Sequence, residues 1–378
     1  MRITAQLIEA PTDVHLWAET YDRTMDDIFA IQSDVAARIV EALRVQLTPM
    51  EKARMEARPT ESVEAYQWFL KGRHFLAKRT EKTIRQSIEW FEKATRADPS
   101  FAQSWAGLAD AYGLLPSHSQ MPVEEASSEA RSAAQRALAL DPGLGEAHAA
   151  LGITASNEWK WKEAEREYGR AIELNPGYAT AHHWYGLLLS NQSRHDEAIE
   201  VLSRALEMDP LSLPIHNGLG TAYVNARRYD EAIEIYKKAA ELDSTRMHSH
   251  LNLAETYDVL GRYEEALREW EAVAAVEPGI VSAAMVASLR SGFATAGPQG
   301  YWEAWVNGLA SRDEALHRFF HLARASAQLG RVDEAFSWLD ELLGDQSSWA
   351  VQVSQDPVFD PLRSDPRFDA ILHRIGLT

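Results

Sequence analysis

The sequence predicts an all-α, right-handed solenoid of stacked helix pairs, preceded by a small β-hairpin and one helix. A fixed spacing is the first observation: Pro142, Pro176 and Pro210 stand 34 residues apart, Ser244 holds the next slot and Pro278 follows. The second is a column pattern upstream of each: Ala130, Ala134, Ala137; Ala164, Tyr168, Ala171; Ala198, Leu202, Ala205; Ala232, Tyr236, Ala239; Ala266, Trp270, Val273. The third lies at the start of the chain, where Ile3, Ala5 and Leu7 alternate with Thr4, Gln6 and Ile8 and a turn around Pro11–Asp13 leads to His15, Leu16, Trp17 and Ala18. That period of two reads as a hairpin.

Each 34-residue unit reads as two antiparallel helices. Leu108-Ala109, Leu151-Gly152, Tyr185-Gly186, Leu219-Gly220 and Leu253-Ala254 mark one face of the first helix, and the Ala-x3-large columns mark one face of the second. Small residues let helix axes approach, large ones fill the space between, and proline ends each second helix. One pair cannot cover its own apolar face, so stacking must supply the core. This period and these columns are those of the tetratricopeptide repeat, TPR. Such repeats are scaffolds for binding.

Taken in order, residues 1–47 form the hairpin followed by a helix starting at Asp26 or Asp27, with Ile28, Ile31, Val35, Ile39 and Leu43 on its apolar face. A lone hairpin with one helix is a poor domain. Residues 48–64 read as a linker, and 65–278 as six units. In the first unit Trp68, Phe69, Gly72 and Phe75 precede Ser87, Phe91, Ala94 and Pro99, with a longer loop around Lys78–Thr83. The second carries an insertion, Leu115–Pro122, whose Pro, Ser and His content predicts a surface loop. Residues 279–345 read as irregular helices, broken at Gly292, Gly297, Pro298 and Gly300, and a degenerate repeat. Residues 346–378 read as turns and a short capping helix.

The first segment adds a resemblance. Ile3-Thr4-Ala5-Gln6-Leu7-Ile8, His15-Leu16-Trp17-Ala18-Glu19, Tyr21-Asp22-Arg23 and Asp27-Ile28-Phe29-Ala30-Ile31-Gln32 resemble the closing part of a TolB-like α/β domain. That domain precedes TPR arrays in bacterial class III adenylate cyclase-type and winged-helix regulators. Glu64-Ala65-Tyr66 through Gly72-Arg73, and Asp365-Pro366-Arg367-Phe368 through Gly376-Leu377, are similar to the first repeat and the ending of those proteins. The resemblance implies a signalling role. Cyclase catalytic residues, a DNA-reading helix and the first strands of the α/β domain have no counterpart here, so it implies an N-terminally truncated, effector-less portion.

Composition bounds the chemistry. The net charge of −18 over 378 residues argues against a phosphate-binding surface and suits a basic protein partner. With no Cys there are no disulfides or thiolate metal sites. The N-terminus lacks an apolar signal core, and no apolar run reaches the ~18 residues of a membrane span, which predicts a cytoplasmic protein. HExxH, GxxxxGK[ST], GxSxG and EF-hand patterns are absent, and no enzymatic activity, cofactor or metal is expected. His148, His182, His216 and His250 recur one per unit. Equivalent positions in stacked helices sit about 10 Å apart, too far for two nitrogens on one zinc at about 2 Å, so the ladder is structural. Gly218-x-Gly220 falls on helix columns and is packing. Trp302, Trp305, Trp338 and Trp349 are expected in the core, and acidic runs such as Glu163–Glu167 on solvated outer faces.

Function must therefore reside in the concave groove, lined by the first helices. The second and third units contribute Asp110, then Glu146 and Asn157, and the fourth His183, Leu187 and Asn191. From the fifth come Asn217, Thr221 and Asn225, and from the sixth His248, Asn252, Glu255 and Asp258. Asn157, Asn191 and Asn225 form a column able to donate and accept along a peptide backbone, or to finish helix C-termini. TPR domains that bind chaperone tails hold the terminal carboxylate with Lys and Arg; these slots contain neither, which argues against that ligand. The expected partner is a peptide or helix of another protein, with self-association through the N-terminal segment.

Overall fold

The computed structural model describes residues 2–9, 14–22, 28–42, 58–243, 247–310, 318–344 and 348–377. Among them helices pair in the predicted order. The pairs are α2 (Val63–Leu76) with α3 (Glu81–Ala97), α4 (Ala102–Leu114) with α5 (Val123–Leu140), and α6 (Gly145–Asn157) with α7 (Trp161–Leu174). They continue as α8 (Ala179–Asn191) with α9 (His195–Met208), α10 (Leu213–Asn225) with α11 (Tyr229–Leu242), and α12 (Met247–Val259) with α13 (Tyr263–Val276). The chain is an all-α TPR solenoid with a two-stranded sheet at its start.

The packing follows the columns. Tyr168, Leu202, Tyr236 and Trp270 are essentially inaccessible to solvent. Each of the first three lies over a glycine of the preceding helix, Gly152, Gly186 and Gly220. A Cβ on Gly186 would sit 2.5 Å from Leu202 Cγ, inside van der Waals contact. Gly186→Leu is therefore expected to destabilise by about 1–3 kcal/mol, readable as a lower thermal midpoint; an unchanged midpoint would contradict this packing. Each second helix ends with an extended residue, Asp141 (φ −137°, ψ 95°), Asn175 (−141°, 83°) and Asp209 (−137°, 79°), as the following proline requires.

The turn inside every one of the six pairs except α4–α5 obeys a rule that composition hides. Arg79, Trp159, Ser193 and Arg227 have φ between 53° and 63°, and Gly261 and Gly330 have 67° and 69°. Except after Arg79, the following amide folds back onto the helix, as Lys160 N to Ala155 O at 2.9 Å and Arg228 N to Tyr223 O at 2.8 Å. This is the left-handed helix ending that usually takes glycine; here four side chains are held in it and project at the edge of the array.

Two expectations need correction. The insertion at Leu115–Pro122 is a surface loop only in part: Gln120 and Pro122 are exposed, but Leu115–Ser117 is a 3-10 turn with Leu115 buried, and the His118 ring meets that of His248 in α12, centroids 6.1 Å apart. The curvature of the array brings the sixth unit within its reach. The acidic run Glu163–Glu167 is not simply solvated either. Glu163 binds Arg131 at 2.7 Å, Glu165 binds Arg194 at 2.7 Å and Glu167 binds His148 at 2.8 Å, each tying the third unit together or to a neighbour.

Beyond the sixth pair, α14 (Ala283–Ala310) bends at Ala296 and Gly297 (φ 61°, ψ −145°), with Pro298 next. The two halves cross where the backbones at Gly292 and Gly300 touch, leaving no room for a Cβ on either. Helices α15 (Arg318–Gln328) and α16 (Val332–Gly344) follow, then 3-10 segments Ser348–Ser354 and Pro357–Leu362 and helix α17 (Pro366–Arg374). Trp302 and Trp305 are buried, Trp338 stacks on Phe319, and the Trp349 side chain lies outside the described residues. At the start, β1 (Arg2–Glu9) pairs antiparallel with β2 (Val14–Asp22), Ile3 opposite Tyr21, with an irregularity between Leu7 and Ile8. The strand runs past Ala18 because Tyr21 donates to Asp34 of α1 (Ile28–Ala42) at 2.6 Å, beside buried Ile31. Asp26, Asp27, residues 43–57, which include Leu43 and the first part of the linker 48–64, and Ser244 lie outside the described residues.

Candidate functional site

The thirteen groove residues named from the sequence fall into three settings, and none is fully exposed. In the first, Asp110 and Glu146 line a cleft of about 170 Å³ with Phe69, Arg73, Gln103, Ala106, Gly107 and Tyr178. Three successive first helices supply its floor and the start of α8 its rim. Arg73 corrects the expectation of a groove without basic residues: it comes from the first unit, whose helix had not been counted into the groove. Burial opposes its charge, but Tyr178, Asp110 and Glu146 outweigh that and raise its pKa. Burial, then Asp110, pushes the Tyr178 hydroxyl up to about 12, so it stays a neutral donor.

In the second setting the polar side chains already hold the array together. Asn157 Nδ2 donates to Gly113 O at 2.7 Å and Asn225 Nδ2 to Ser190 Oγ at 2.9 Å, each reaching the preceding unit. Asn191 O accepts from Gln355 Nε2 at 3.4 Å. Asn217 Oδ1 accepts from Ser249 at 3.3 Å, and Thr221 lies 3.1 Å from the Tyr236 hydroxyl. His183 is buried against Gly218, with Leu187 beside that glycine. The side chains of Asn157 and Asn225 are thus engaged between repeats, whereas Asn191 is met at its backbone carbonyl by the C-terminal tail.

The third setting is a buried charge cluster. Glu255 binds Arg324 of α15 at 2.6 Å, and Asp356 of the tail lies 3.6 Å from the same guanidinium. Asp258 accepts from Tyr301 at 2.6 Å and from Trp270 at 3.3 Å. Arg324 is 2% exposed. Burial pushes Glu255 and Asp258 up to about 7 each, with Arg324 pulling them back. His248 faces the insertion, and the Asn252 carbonyl accepts from Thr256 within its own helix. Arg324 was invisible to sequence reasoning, since nothing local distinguishes it from a surface arginine.

The histidine ladder does not converge. His148 and His250 bind Glu167 and Glu269 at 2.8 and 2.7 Å, while His182 and His216 bind the carbonyls of Pro176 and Ser212 at 2.9 Å. Among the described residues no group of three or more His, Asp or Glu is placed to hold a metal ion, and no helix is long and apolar enough to cross a membrane.

Comparison with known proteins agrees with this geometry. Tetratricopeptide-repeat family profiles match residues 150–212 and 211–277. The chain carries tetratricopeptide repeats, the class of scaffold through which proteins bind one another. A protein of Rhizobium meliloti (strain 1021), provisionally named adenylate cyclase 3, is 38% identical over 109 residues, covering 29% of this chain and 19% of that protein. The chain therefore spans about a fifth of that relative's length. Similar solved structures include MamA (25% identity, 48% of this chain and 92% of that one, TM-score 0.31). They also include YrrB, described as a TPR protein with an unusual peptide-binding site (22%, 53% and 96%, TM-score 0.31). A third is a thermophilic TPR protein of Thermus thermophilus (20%, 54% and 99%, TM-score 0.43).

Proposed function

We propose that the array is a noncatalytic scaffold whose concave cleft in the first three units holds a peptide or helix of a protein partner. The observation that carries this reading is the contrast between settings: Asp110, Glu146, Gln103 and Tyr178 converge on an open cleft, while the later groove residues are committed within the fold. Two carboxylates against one guanidinium, in a chain of net charge −18, favour a basic partner segment. Phe69 offers an apolar wall for the stem of a Lys or Arg side chain. The test is a random-peptide display selection on the full chain. Basic peptides are expected to enrich, and Asp110→Lys with Glu146→Lys is expected to weaken them by roughly 10-fold or more, the loss of a charge-assisted contact. Enriched peptides indifferent to both substitutions would overturn the reading.

A second reading is favoured by the relative named for adenylate cyclase: the chain would be the regulatory part of a bacterial cyclase or transcription regulator, working through the same array. The division into residues 1–47, 48–64, 65–278, 279–345 and 346–378 belongs to this proposal. So does self-association through the N-terminal segment. Among the described residues β1 and β2 pair only with each other, so each has an open outer edge, a surface that recruits further strands.

A further inference from the structure

A cavity of about 260 Å³ lies between two turns of the array and the C-terminal tail. Ser193 and His195 line it from the α8–α9 turn, Arg227 from the α10–α11 turn, and Ser354, Gln355 and Arg363 from the tail. Its apolar lining is Leu372 of α17 and Leu377. The tail wall is fixed. Ser348–Ser354 and Pro357–Leu362 are 3-10 segments, Val353, Val358 and Phe359 are buried in the main core, and Asp356 belongs to the buried Arg324 cluster. The cavity is therefore preformed, as small-molecule sites usually are.

The charged groups are held in place too, and they do not balance. Asp360 Oδ1 accepts from Arg227 Nη2 at 2.8 Å and from Arg363 Nε at 2.7 Å. Arg227 Nη1 also donates to Gln355 O at 3.0 Å, and Arg363 Nη1 to Ser354 O at 2.8 Å. Two guanidiniums thus share one carboxylate, which leaves one positive charge in surplus, and each carries more N–H donors than these bonds use. Arg227 is 36% and Arg363 32% exposed, so the site opens to solvent on their side. His195 feels the surplus: burial and then the charge of Arg227 lower its pKa, and the neighbouring Asp196 does not offset them. Among the described residues its Nδ1 is buried and meets no hydrogen-bond partner.

We propose that this cavity binds a small organic monoanion, a carboxylate with a short aliphatic body. The carboxylate meets Arg227 and Arg363 and accepts from the Nδ1–H of a neutral His195, while the aliphatic body lies on Leu372 and Leu377. A dianion such as phosphate fits less well, because it leaves a negative charge uncompensated in a chain of net charge −18. The volume holds about eight waters at ~30 Å³ each, which suits an acid of roughly six to ten non-hydrogen atoms. The site shares no lining residue with the concave cleft, so either can fail without the other.

The test is saturation-transfer NMR on the full chain with the straight-chain acids from butyrate to octanoate, their matching alcohols and inorganic phosphate. At least one acid is expected to bind saturably, at least ~10-fold more tightly than its alcohol or phosphate. Arg363→Gln removes the surplus charge and is expected to weaken the acid by at least ~10-fold. Ser193→Trp fills the cavity without changing its charge and is expected to abolish binding. Trp159 holds the equivalent left-handed turn position (φ 59°, against 63° at Ser193), so the backbone accepts that side chain. Either variant with native circular dichroism decides the matter. No binding by any acid, binding that survives the substitutions, or an alcohol or phosphate that binds as tightly as the acid would overturn the proposal.

Discussion

Arg324→Met is expected to cost about 3–5 kcal/mol of stability, because it removes the guanidinium that Glu255 and Asp356 share in a buried cluster, where His321 Nδ1 also lies 3.9 Å from Glu255. Methionine keeps an unbranched apolar stem in place of the arginine's, so most of the loss comes from the missing guanidinium. The penalty also carries a pH signature. Glu255 and Asp258 have folded pKa values of about 7, raised above their unfolded values by burial. Groups shifted this way favour the fold when protonated, and their contribution is lost as pH rises through the folded value. Without Arg324 both shift further up, so the deficit of the variant should widen between pH 5.5 and pH 8. Urea unfolding at the two pH values reads this directly. A deficit that is small, or that narrows as pH rises, would mean that Arg324 is not the counter-charge of this cluster.

Acid should weaken the fold through His183. Burial, reinforced by the charge of Arg79, lowers its pKa to about 3, and the side chain is 5% exposed. The unfolded chain binds the proton near pH 6.5 and the folded chain does not, so stability falls as pH drops below 6.5 until the folded value is reached. Between pH 7 and pH 4 the loss amounts to about 3 kcal/mol. His183→Leu should remove that portion of the acid sensitivity, so the gap between variant and unaltered chain changes by this amount across the range. Parallel curves for the two chains would show that His183 is protonated inside the fold. Burial lowers His118 in the same direction, assisted by His248, so some acid sensitivity should survive in the variant.

Local periodicity made the repeats legible. Gly152, Gly186 and Gly220, with Tyr168, Leu202 and Tyr236, meet within one unit, across a single turn, and their spacing is the contact. The hairpin was legible for the same reason, since alternation over a few residues specifies a strand. Contacts made by superhelical curvature were not. His118 meets His248, and Trp161 donates to Ile375 across 214 residues, through positions with no periodic signature. The asparagines show the middle case. Asn157, Asn191 and Asn225 are readable as a column, but only the depth of the neighbouring helix decides that Asn157 reaches Gly113 and Asn225 reaches Ser190 instead of facing a ligand. Arg73 escaped because the groove was drawn from the second unit onward, whereas the first unit's helix closes the cleft around Asp110 and Glu146.

Binding in the concave cleft is tested most directly by hydrogen-exchange footprinting of the full chain with a selected basic peptide bound. Slowed exchange is expected along α2, α4 and α6 and at the start of α8, around Arg73, Asp110, Glu146 and Tyr178, with the outer helices α3, α5 and α7 unaffected. Protection confined to the outer helices, or to the β1–β2 hairpin, would contradict a concave binding site.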